Sequence, residues 1–170
     1  MRKFDYTFLK KISVPADIMN SATSIYEMKA KAELRRTDFA DVFSAMESVA
    51  KIQSVKSSNA IEGIITTDKR IRDIVNKSTA PQGHNELEIA GYRDALDLVH
   101  SSYSDIPFSE KSILELHRIL LQPSGDDLAG RYKTEDNFIM ETDREGVRSV
   151  RFTPVPAGET ASAMEQLILA

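Results

Sequence analysis

Ser58 and Glu62 could bind a charged partner together, because they are spaced to share one face of a helix near the middle of the chain. A helical pattern leads into them, Gly63 follows, and a turn cluster occupies 66–68. Glu62 is therefore expected near the C-terminal end of a helix at about 54–63. The helix dipole disfavours a carboxylate there. A lone glutamate is usually only a solvated surface charge, but the Ser-x-x-x-Glu-Gly pattern, together with the segments that follow it, favours a Glu62 that is held for a partner.

Other chemical signatures are few. Of the three histidines, His84, His100 and His117, none has a second ligand at a spacing typical of a zinc site. His117 lies in an amphipathic pattern and is expected to be structural. The chain has no Gly-rich phosphate loop and no cysteine, so thiolate catalysis and disulfides are excluded. Spacing alone assigns no nucleophile and no general base.

The composition limits the partners. The 170 residues carry a net charge of −4, so no overall basic field favours nucleic acid. No apolar run approaches the roughly 20 residues that span a bilayer, and the N-terminus lacks the apolar core of a signal peptide. We therefore expect a cytoplasmic protein of one or two domains that binds neither nucleic acid nor membrane.

Apolar residues recur at helical spacing through most of the chain, which predicts a mainly α fold. The predicted helices lie at about 16–36, from 39 to 63, 69–77, 85–103, 110–121 and from 159 onwards. Thr37-Asp38, Thr67-Asp68 and Ser109 are predicted to cap three of them. Two apolar faces are expected to pack in the core: Ile71, Ile74 and Val75 on one helix, and Val42, Phe43, Met46, Val49, Ala50 and Gln53 on another.

The helical spacing disappears between 137 and 152, where two short apolar runs flank a Gly-containing loop. This pattern predicts one β-hairpin, with strands at about 138–141 and 149–152. The pattern of the last helix shows no stop signal before Ala170, so the sequence predicts a domain that is incomplete at its C-terminus.

Five segments, in this order, resemble Fic-type proteins, which transfer AMP from ATP to a hydroxyl of a target protein. The segment 58–63 resembles the inhibitory motif Ser/Thr-x-x-x-Glu-Gly/Asn of that family. The other four segments are 88–96, 116–121, 129–133 and the hairpin with its following prolines, 137–156. The resemblance covers most of 40–170. It implies an N-terminal helical region at 1–80 that contains the inhibitory helix, and the first part of a helical Fic-type bundle at 81–170, with a flap hairpin at about 137–152.

The resemblance also implies roles for individual residues. Glu62, held by Ser58 and followed by Gly63, would inhibit in cis by occupying an Arg fork that otherwise binds the γ-phosphate of ATP. Without that fork, Glu62 would be solvated or neutralised by Arg70 or Arg72. The flap would receive the target protein by strand addition. Its candidate residues are Phe138, Ile139, Met140, Glu141, Val150, Arg151 and Phe152.

One departure from the family is decisive for activity. The catalytic loop His-Pro-Phe-x-x-Gly-Asn-Gly-Arg, expected after the helix that begins near Glu159, is absent from the sequence. No catalytic or metal-binding residue can therefore be assigned, and His117 does not take that role. ATP and Mg²⁺ are implied for an intact family member, but neither is expected to bind this chain tightly. We expect the chain itself to be inactive, as a fragment or a truncated product.

Alternatives remain at this stage. The chain could be a non-enzymatic helical interaction module, such as an antitoxin-like inhibitor of another Fic protein. Some family members transfer phosphocholine or phosphate instead of AMP, and the sequence does not distinguish these groups. The target protein, the modified residue and the presence of a homo-oligomer are also left open.

Overall fold

The computed structural model describes residues 3–170 and shows a mainly helical protein with one antiparallel β-hairpin, which confirms the predicted fold class. The described residues form α1 (Ala16–Arg36), α2 (Ala40–Ile61), α3 (Asp68–Val75), α4 (Gly83–Ser102), α5 (Glu110–Leu121), β1 (Ile139–Thr142), β2 (Arg148–Phe152) and α6 (Thr160–Leu169). They divide into two compact units. The N-terminal unit is Thr7–Ala80, and the C-terminal unit is Pro81–Ala170 together with residues 3–6. Within residues 3–170, no helix combines the length and the apolar character needed to cross a membrane.

The predicted cap at Thr37-Asp38 is wrong. Thr37 has helical dihedrals, φ −69° and ψ −43°, and the backbone N–H of Phe39 still donates to Arg35 O at 3.0 Å. The chain leaves the helical region only at Phe39, which is the N-cap of α2 and makes no side-chain capping bond. An N-cap side chain must sit on a non-helical residue, so the continuing turn of α1 removes Thr37 from that position.

The predicted core packing of the α2 stripe is also wrong. Val42, Met46 and Val49 each remain more than half exposed, and the buried residues of α2 are Val55 and Asn59. The reason is length. The helix α3, which packs on α2, has eight residues and spans about 12 Å, whereas the 22 residues of α2 span about 33 Å. One short helix therefore covers only the C-terminal part of α2.

The short helix α3 follows its prediction closely. The side chain of Thr67 accepts a hydrogen bond from Arg70 N at 3.2 Å, which satisfies a backbone donor that a helix start leaves unpaired. Ile71, Ile74 and Val75 are buried, as the helical spacing indicates. The N-terminal unit therefore has its core where α3 meets the end of α2.

The C-terminal unit is centred on the packing of α4 against α5. Ile89, Ala90 and Ala95 of α4 are buried. Ser109 caps α5 as predicted, because its hydroxyl accepts from Ser112 N at 3.2 Å. Gly91 is buried where the two helices meet, and a Cβ atom placed on it would lie 1.9 Å from Leu120 O. The close approach of α4 and α5 therefore requires glycine at position 91.

Two hydrogen bonds connect the N-terminal residues, the hairpin and α6 within this unit. Phe4 N donates to Gln166 Oε1 of α6 at 2.9 Å, which ties the N-terminal residues to the last helix. Ala157 N donates to Asp136 Oδ1 at 2.7 Å, across the base of the hairpin. The hairpin is thus joined to the residues that lead into α6, while every residue of its two strands is exposed.

Tyr132 gives the C-terminal unit a sensitivity to high pH. Burial, together with the hydrogen bond that its hydroxyl donates to Glu110 Oε1 at 2.8 Å, raises its pKa from 10.0 to about 12. Because the folded pKa lies above the unfolded value, the contribution of Tyr132 to stability is complete below pH 10 and is lost as pH rises towards 12. We expect the tyrosinate absorbance of the native protein to rise in a separate step near pH 12. Tyr132→Phe should remove this step, and Glu110→Gln should shift it to lower pH. A native titration without this late step would contradict the assignment.

Candidate functional site

The end of α2 is shaped by a pair of backbone hydrogen bonds. Ile64 N donates to Asn59 O at 2.9 Å, and Gly63 N donates to Ala60 O at 3.1 Å. Gly63 has φ +79°, in the left-handed region. These three features make a Schellman motif, in which a left-handed residue lets the chain turn back and satisfy the last carbonyls of the helix. The predicted left-handed turn at Gly63 is confirmed.

This motif determines where Glu62 stands. Glu62 is the C-cap residue of α2, with φ −81° and ψ 5°, and its side chain is exposed. Within the part of the chain that the structure describes, its carboxylate has no hydrogen bond and no ion pair. Arg70, considered above as a neutralising neighbour, donates to Thr79 Oγ1 at 2.9 Å and to Ala80 O at 3.1 Å. The carboxylate of Glu62 therefore offers both oxygens to a partner.

Asn59 is a structural member of this site that sequence reasoning missed. It is only 5% exposed, and its Nδ2 donates to Val55 O at 2.8 Å. This bond holds the side chain against the preceding turn on the buried face of α2. A signal was present, because asparagine is a poor helix former and stands here in the last turn of a helix. Ser58, next to it, is half-buried one turn before Glu62.

The conformation of Gly63 allows a test of this helix end. No atom would obstruct a Cβ on Gly63, so the cost of Gly63→Ala comes only from its positive φ. We expect Gly63→Ala to lower the free energy of unfolding by about 1 kcal/mol. Gly63→Asn should cost less, since asparagine tolerates the left-handed region. Urea denaturation followed by circular dichroism measures both, and equal losses in the two variants would argue against the backbone explanation.

A cleft of about 270 Å³ lies between α2 and α3. Lys56 Nζ approaches Asp68 Oδ1 at 2.6 Å beside it, and this hydrogen bond holds the pKa of Asp68 below its usual value. The lining residues are Val49, Ile52, Gln53, Lys56, Asp68, Ile71 and Arg72. Glu62 is not among them. The lining carries two basic side chains, Lys56 and Arg72, and one acidic side chain, Asp68, so a net positive charge remains.

The hairpin forms where the change of period predicts it. Phe138 lies just before β1, and the pairing continues one residue further towards the loop on each strand than predicted. The partners are Ile139 with Phe152, Met140 with Val150, Glu141 with Ser149, and Thr142 with Arg148. The register shifts between the first two pairs, so Arg151 is an extra residue in a β-bulge. The bulge was not predicted.

The turn of the hairpin is stabilised by Asp143. Its Oδ1 accepts from Glu145 N at 2.9 Å and from Val147 N at 2.8 Å, while its own N–H donates to Val147 O at 3.1 Å. Gly146 has φ +86°, which a residue with a side chain rarely adopts. This tight turn keeps the two strands in register although neither face of the hairpin is buried.

The predicted flap residues share one property, which is exposure. Their apolar members are each between 51% and 56% exposed: Phe138, Ile139, Met140, Val150 and Phe152. The two charged members face each other, with Arg151 Nε 3.9 Å from Glu141 Oε2. The seven residues therefore form one continuous exposed ribbon.

His117 is structural, as predicted. Its Nδ1 accepts a hydrogen bond from Gly130 N at 3.3 Å, which joins α5 to the turn that contains Gly130. Across residues 3–170, no three acidic or histidine side chains converge in a way that could hold a metal ion.

Three of the predicted residues, Ser58, Glu62 and Gly63, meet at the end of α2, and the seven flap residues meet on the hairpin. The first group belongs to the N-terminal unit and the second to the C-terminal unit. Comparison with known proteins adds no relationship, since no protein-family model matches the chain and a search of the curated proteins gives no significant match.

Proposed function

We propose that this chain carries the regulatory and flap-bearing elements of a cytoplasmic Fic-type protein AMP-transferase that Glu62 inhibits in cis. The observation that supports the proposal best is the position of Glu62. Its carboxylate is exposed at the C-cap of a helix that ends in a Schellman motif, without a partner among the described residues. A carboxylate at a helix C-terminus is unfavourable, so a role in binding a cation explains why it stands there.

An arginine of the catalytic loop is the cation that the resemblance implies. The guanidinium fork binds a carboxylate with two charge-assisted hydrogen bonds, and it binds a phosphate with the same geometry. While Glu62 occupies the fork, the γ-phosphate of ATP is excluded from it. The α-phosphate is then misplaced for in-line attack, and placement is most of what catalyses this class of reaction.

The exposure of the hairpin supports the proposal that it is a flap that binds the target protein. An exposed two-stranded ribbon can receive an extended target segment as a third strand, and main-chain hydrogen bonds then hold the target hydroxyl in place. Such binding requires no large pocket. It is consistent with the exposed apolar side chains along both strands.

The test uses the complete open reading frame that contains this sequence. We expect the frame to encode His-Pro-Phe-x-x-Gly-Asn-Gly-Arg after Ala170, and its product to incorporate label from ATP marked in the α-phosphate. Label in the γ-phosphate should not be incorporated, which separates AMP transfer from phosphorylation. A frame without the loop, or γ-label in the protein, contradicts the proposal.

A second candidate function is a helical interaction module, such as an antitoxin-like inhibitor that acts in trans. The exposed apolar residues along α1 and along α2 favour it, because apolar side chains left uncovered on a helix can bind a partner. This candidate predicts that the purified 170-residue chain inhibits a separate Fic enzyme that lacks its own inhibitory helix. The inhibition should disappear with Glu62→Gly. If micromolar concentrations of the 170-residue chain do not inhibit that enzyme, this second candidate function is excluded.

A further inference from the structure

The helices α1 and α2 each carry an apolar stripe that remains exposed within residues 3–170. Ile18 and Ile25 belong to the stripe of α1, and Val42 and Val49 belong to that of α2. Each of these four side chains is between 55% and 60% exposed. The two members of each stripe are seven residues apart, so they lie on one face of their helix. A stripe of this kind is the surface with which one helix packs against another.

A short break separates α1 from α2. Thr37 keeps helical dihedrals, whereas Phe39, with φ −126° and ψ 39°, interrupts the helical backbone. The next helix begins at once, because Phe43 N donates to Phe39 O at 3.1 Å. No residue of α1 is buried, so α1 does not pack along α2 of its own chain. The stripe of α1 is therefore accessible to α2 of a second copy.

The charges of the two helices have opposite signs on the two sides of Thr37. The segment 29–36 contains four basic residues and one acidic residue, whereas 38–47 contains three acidic residues and no basic one. Farther out, 12–28 contains two acidic residues and no basic one, whereas 48–61 contains two basic residues and no acidic one. If a second copy runs in the opposite direction, each block faces a block of opposite sign.

Ion pairs within the chain do not remove this pattern. Arg36 pairs with Glu47, and Lys29 Nζ lies 3.9 Å from Glu33 Oε1. Each pair uses one basic and one acidic residue of the blocks beside Thr37. The charges that remain keep the same signs, with Lys31 and Arg35 before Thr37 and Asp38 and Asp41 after it.

A two-fold axis at Thr37 satisfies the apolar pattern as well. Ile25 and Val49 are each twelve residues from Thr37, so the axis places Ile25 of one copy beside Val49 of the other. We propose that the chain forms an antiparallel homodimer in which α1 of each copy packs on α2 of the other. Glu27 and Glu47 also face each other in sequence, but each lies about 160° around its helix from the stripe, outside the interface.

The cleft between α2 and α3 meets the acidic start of α1 in this dimer. Asp17 is 20 residues before Thr37 and Lys56 is 19 residues after it, so the axis places them at nearly the same level. Lys56 is already paired with Asp68, and Arg72 gives the cleft its second positive charge. The side chain of Asp17 has no hydrogen bond or ion pair within residues 3–170. Asp17 of the other copy therefore balances the charge of the cleft.

A different protein fits this surface less well than a second copy does. The surface of α2 is acidic in its first part, 38–47, and basic in its second part, 48–61. A helix that covers the whole stripe must carry basic and acidic blocks in the matching order. The helix α1 has this order when it runs antiparallel to α2, and two-fold symmetry forms the same contact twice.

The first test measures the mass of the 170-residue chain in solution. Sedimentation velocity over a series of concentrations should show a dimer of twice 19.0 kDa. Ile25→Glu places a charge in the apolar interface and should weaken dimerisation at least about tenfold. Leu34→Glu is the matched control, because Leu34 is 79% exposed and lies nine residues after Ile25, on the opposite face of α1. It should change the dissociation constant less than about twofold.

The second test asks whether the contact is made between copies. Arg35 is two residues before Thr37 and Asp41 is four residues after it, so the dimer places them close together on one flank. Neither side chain has an ion pair within the described residues. Arg35→Glu and Asp41→Lys each bring like charges together twice in a homodimer, and each should weaken dimerisation at least about tenfold.

A mixture of these two variants is the decisive sample. In a heterodimer the new glutamate faces the new lysine, while the native arginine of one chain faces the native aspartate of the other. Both contacts then join opposite charges, so the mixture should dimerise within about twofold of the wild type. Recovery in the mixture cannot come from contacts within one chain.

Four results would overturn the inference. These are a monomer at every concentration, a dimer that Ile25→Glu leaves intact, an equal effect of Leu34→Glu, and no recovery in the mixture. Ile25 is itself 60% exposed, so its substitution leaves the buried core unchanged, and near-ultraviolet circular dichroism should match the wild type. None of these measurements depends on AMP transfer, so the dimer and the proposed function stand or fall separately.

Discussion

Glu62→Gly should raise AMP transfer about 5- to 150-fold in the protein that contains the catalytic loop, which is the range of typical coupling between two sites. The substitution removes the carboxylate that competes for the arginine fork, so the γ-phosphate can bind there and align the α-phosphate. Incorporation of α-labelled ATP, in the protein itself and in an added target, measures the effect. The increase should appear at saturating ATP as well, because misplacement of bound ATP lowers the rate rather than the affinity.

The control for this prediction is another exposed acid of the same unit. Asp68 is ion-paired with Lys56 and has no part in the proposed inhibition. Asp68→Asn should leave transfer within about twofold of the wild type, since an exposed pair contributes little. Glu62→Gln keeps the size of the side chain and removes its charge, so it should activate almost as strongly as glycine. Unchanged transfer in both Glu62 variants would eliminate inhibition by this residue.

Gly91→Ala should cost the largest amount of stability of any small change in the C-terminal unit. The added Cβ would lie 1.9 Å from Leu120 O and 2.8 Å from Leu120 C, and both are backbone atoms that no side-chain rotation can move. The helices α4 and α5 must then separate, and the core around Ile89 opens. We expect a loss of about 3 kcal/mol, at the upper end of overpacking effects. Denaturant unfolding followed by circular dichroism measures it.

Gly158→Ala is the matched control. No atom lies within 4 Å of a Cβ on Gly158, and its backbone does not require glycine. The variant should therefore lie within about 0.5 kcal/mol of the wild type, or slightly above it because the unfolded chain loses freedom. A Gly91→Ala protein as stable as Gly158→Ala would mean that α4 and α5 do not approach so closely in solution.

Local chemistry explains which elements could be predicted from the sequence. The side chains of Thr67 and Ser109 each accept a hydrogen bond from a backbone N–H three residues later in the sequence. The turn at Gly63 depends on the conformational freedom of that one residue. The hairpin follows from a change of period and a glycine in its loop. These signals lie within a few residues of the structure that they specify, so a sequence pattern carries them.

The failures have a common physical cause. Periodicity shows which face of α2 is apolar, but not whether another element covers it, and Val49 remains more than half exposed. Thr37 has the right side chain for a cap but a backbone held helical by the turn before it. The bulge at Arg151 depends on how two strands pair, which neither strand encodes alone. The sequence shows that Asn59 is an unusual residue for the last turn of a helix, but it does not show that the side chain is buried and bonded to Val55 O.

The bare surface of α1 has a thermodynamic consequence. None of its 21 residues is buried, and Ile18, Ile25 and Met28 are each more than half exposed. Most of the stability of a helix in a protein comes from tertiary packing of its apolar face, and α1 gains little from that source within the described residues. Any partner that covers the apolar stripe would bind only the helical form, and mass action would then shift the helix–coil equilibrium towards helix. Order in this segment would rise with the concentration of that partner.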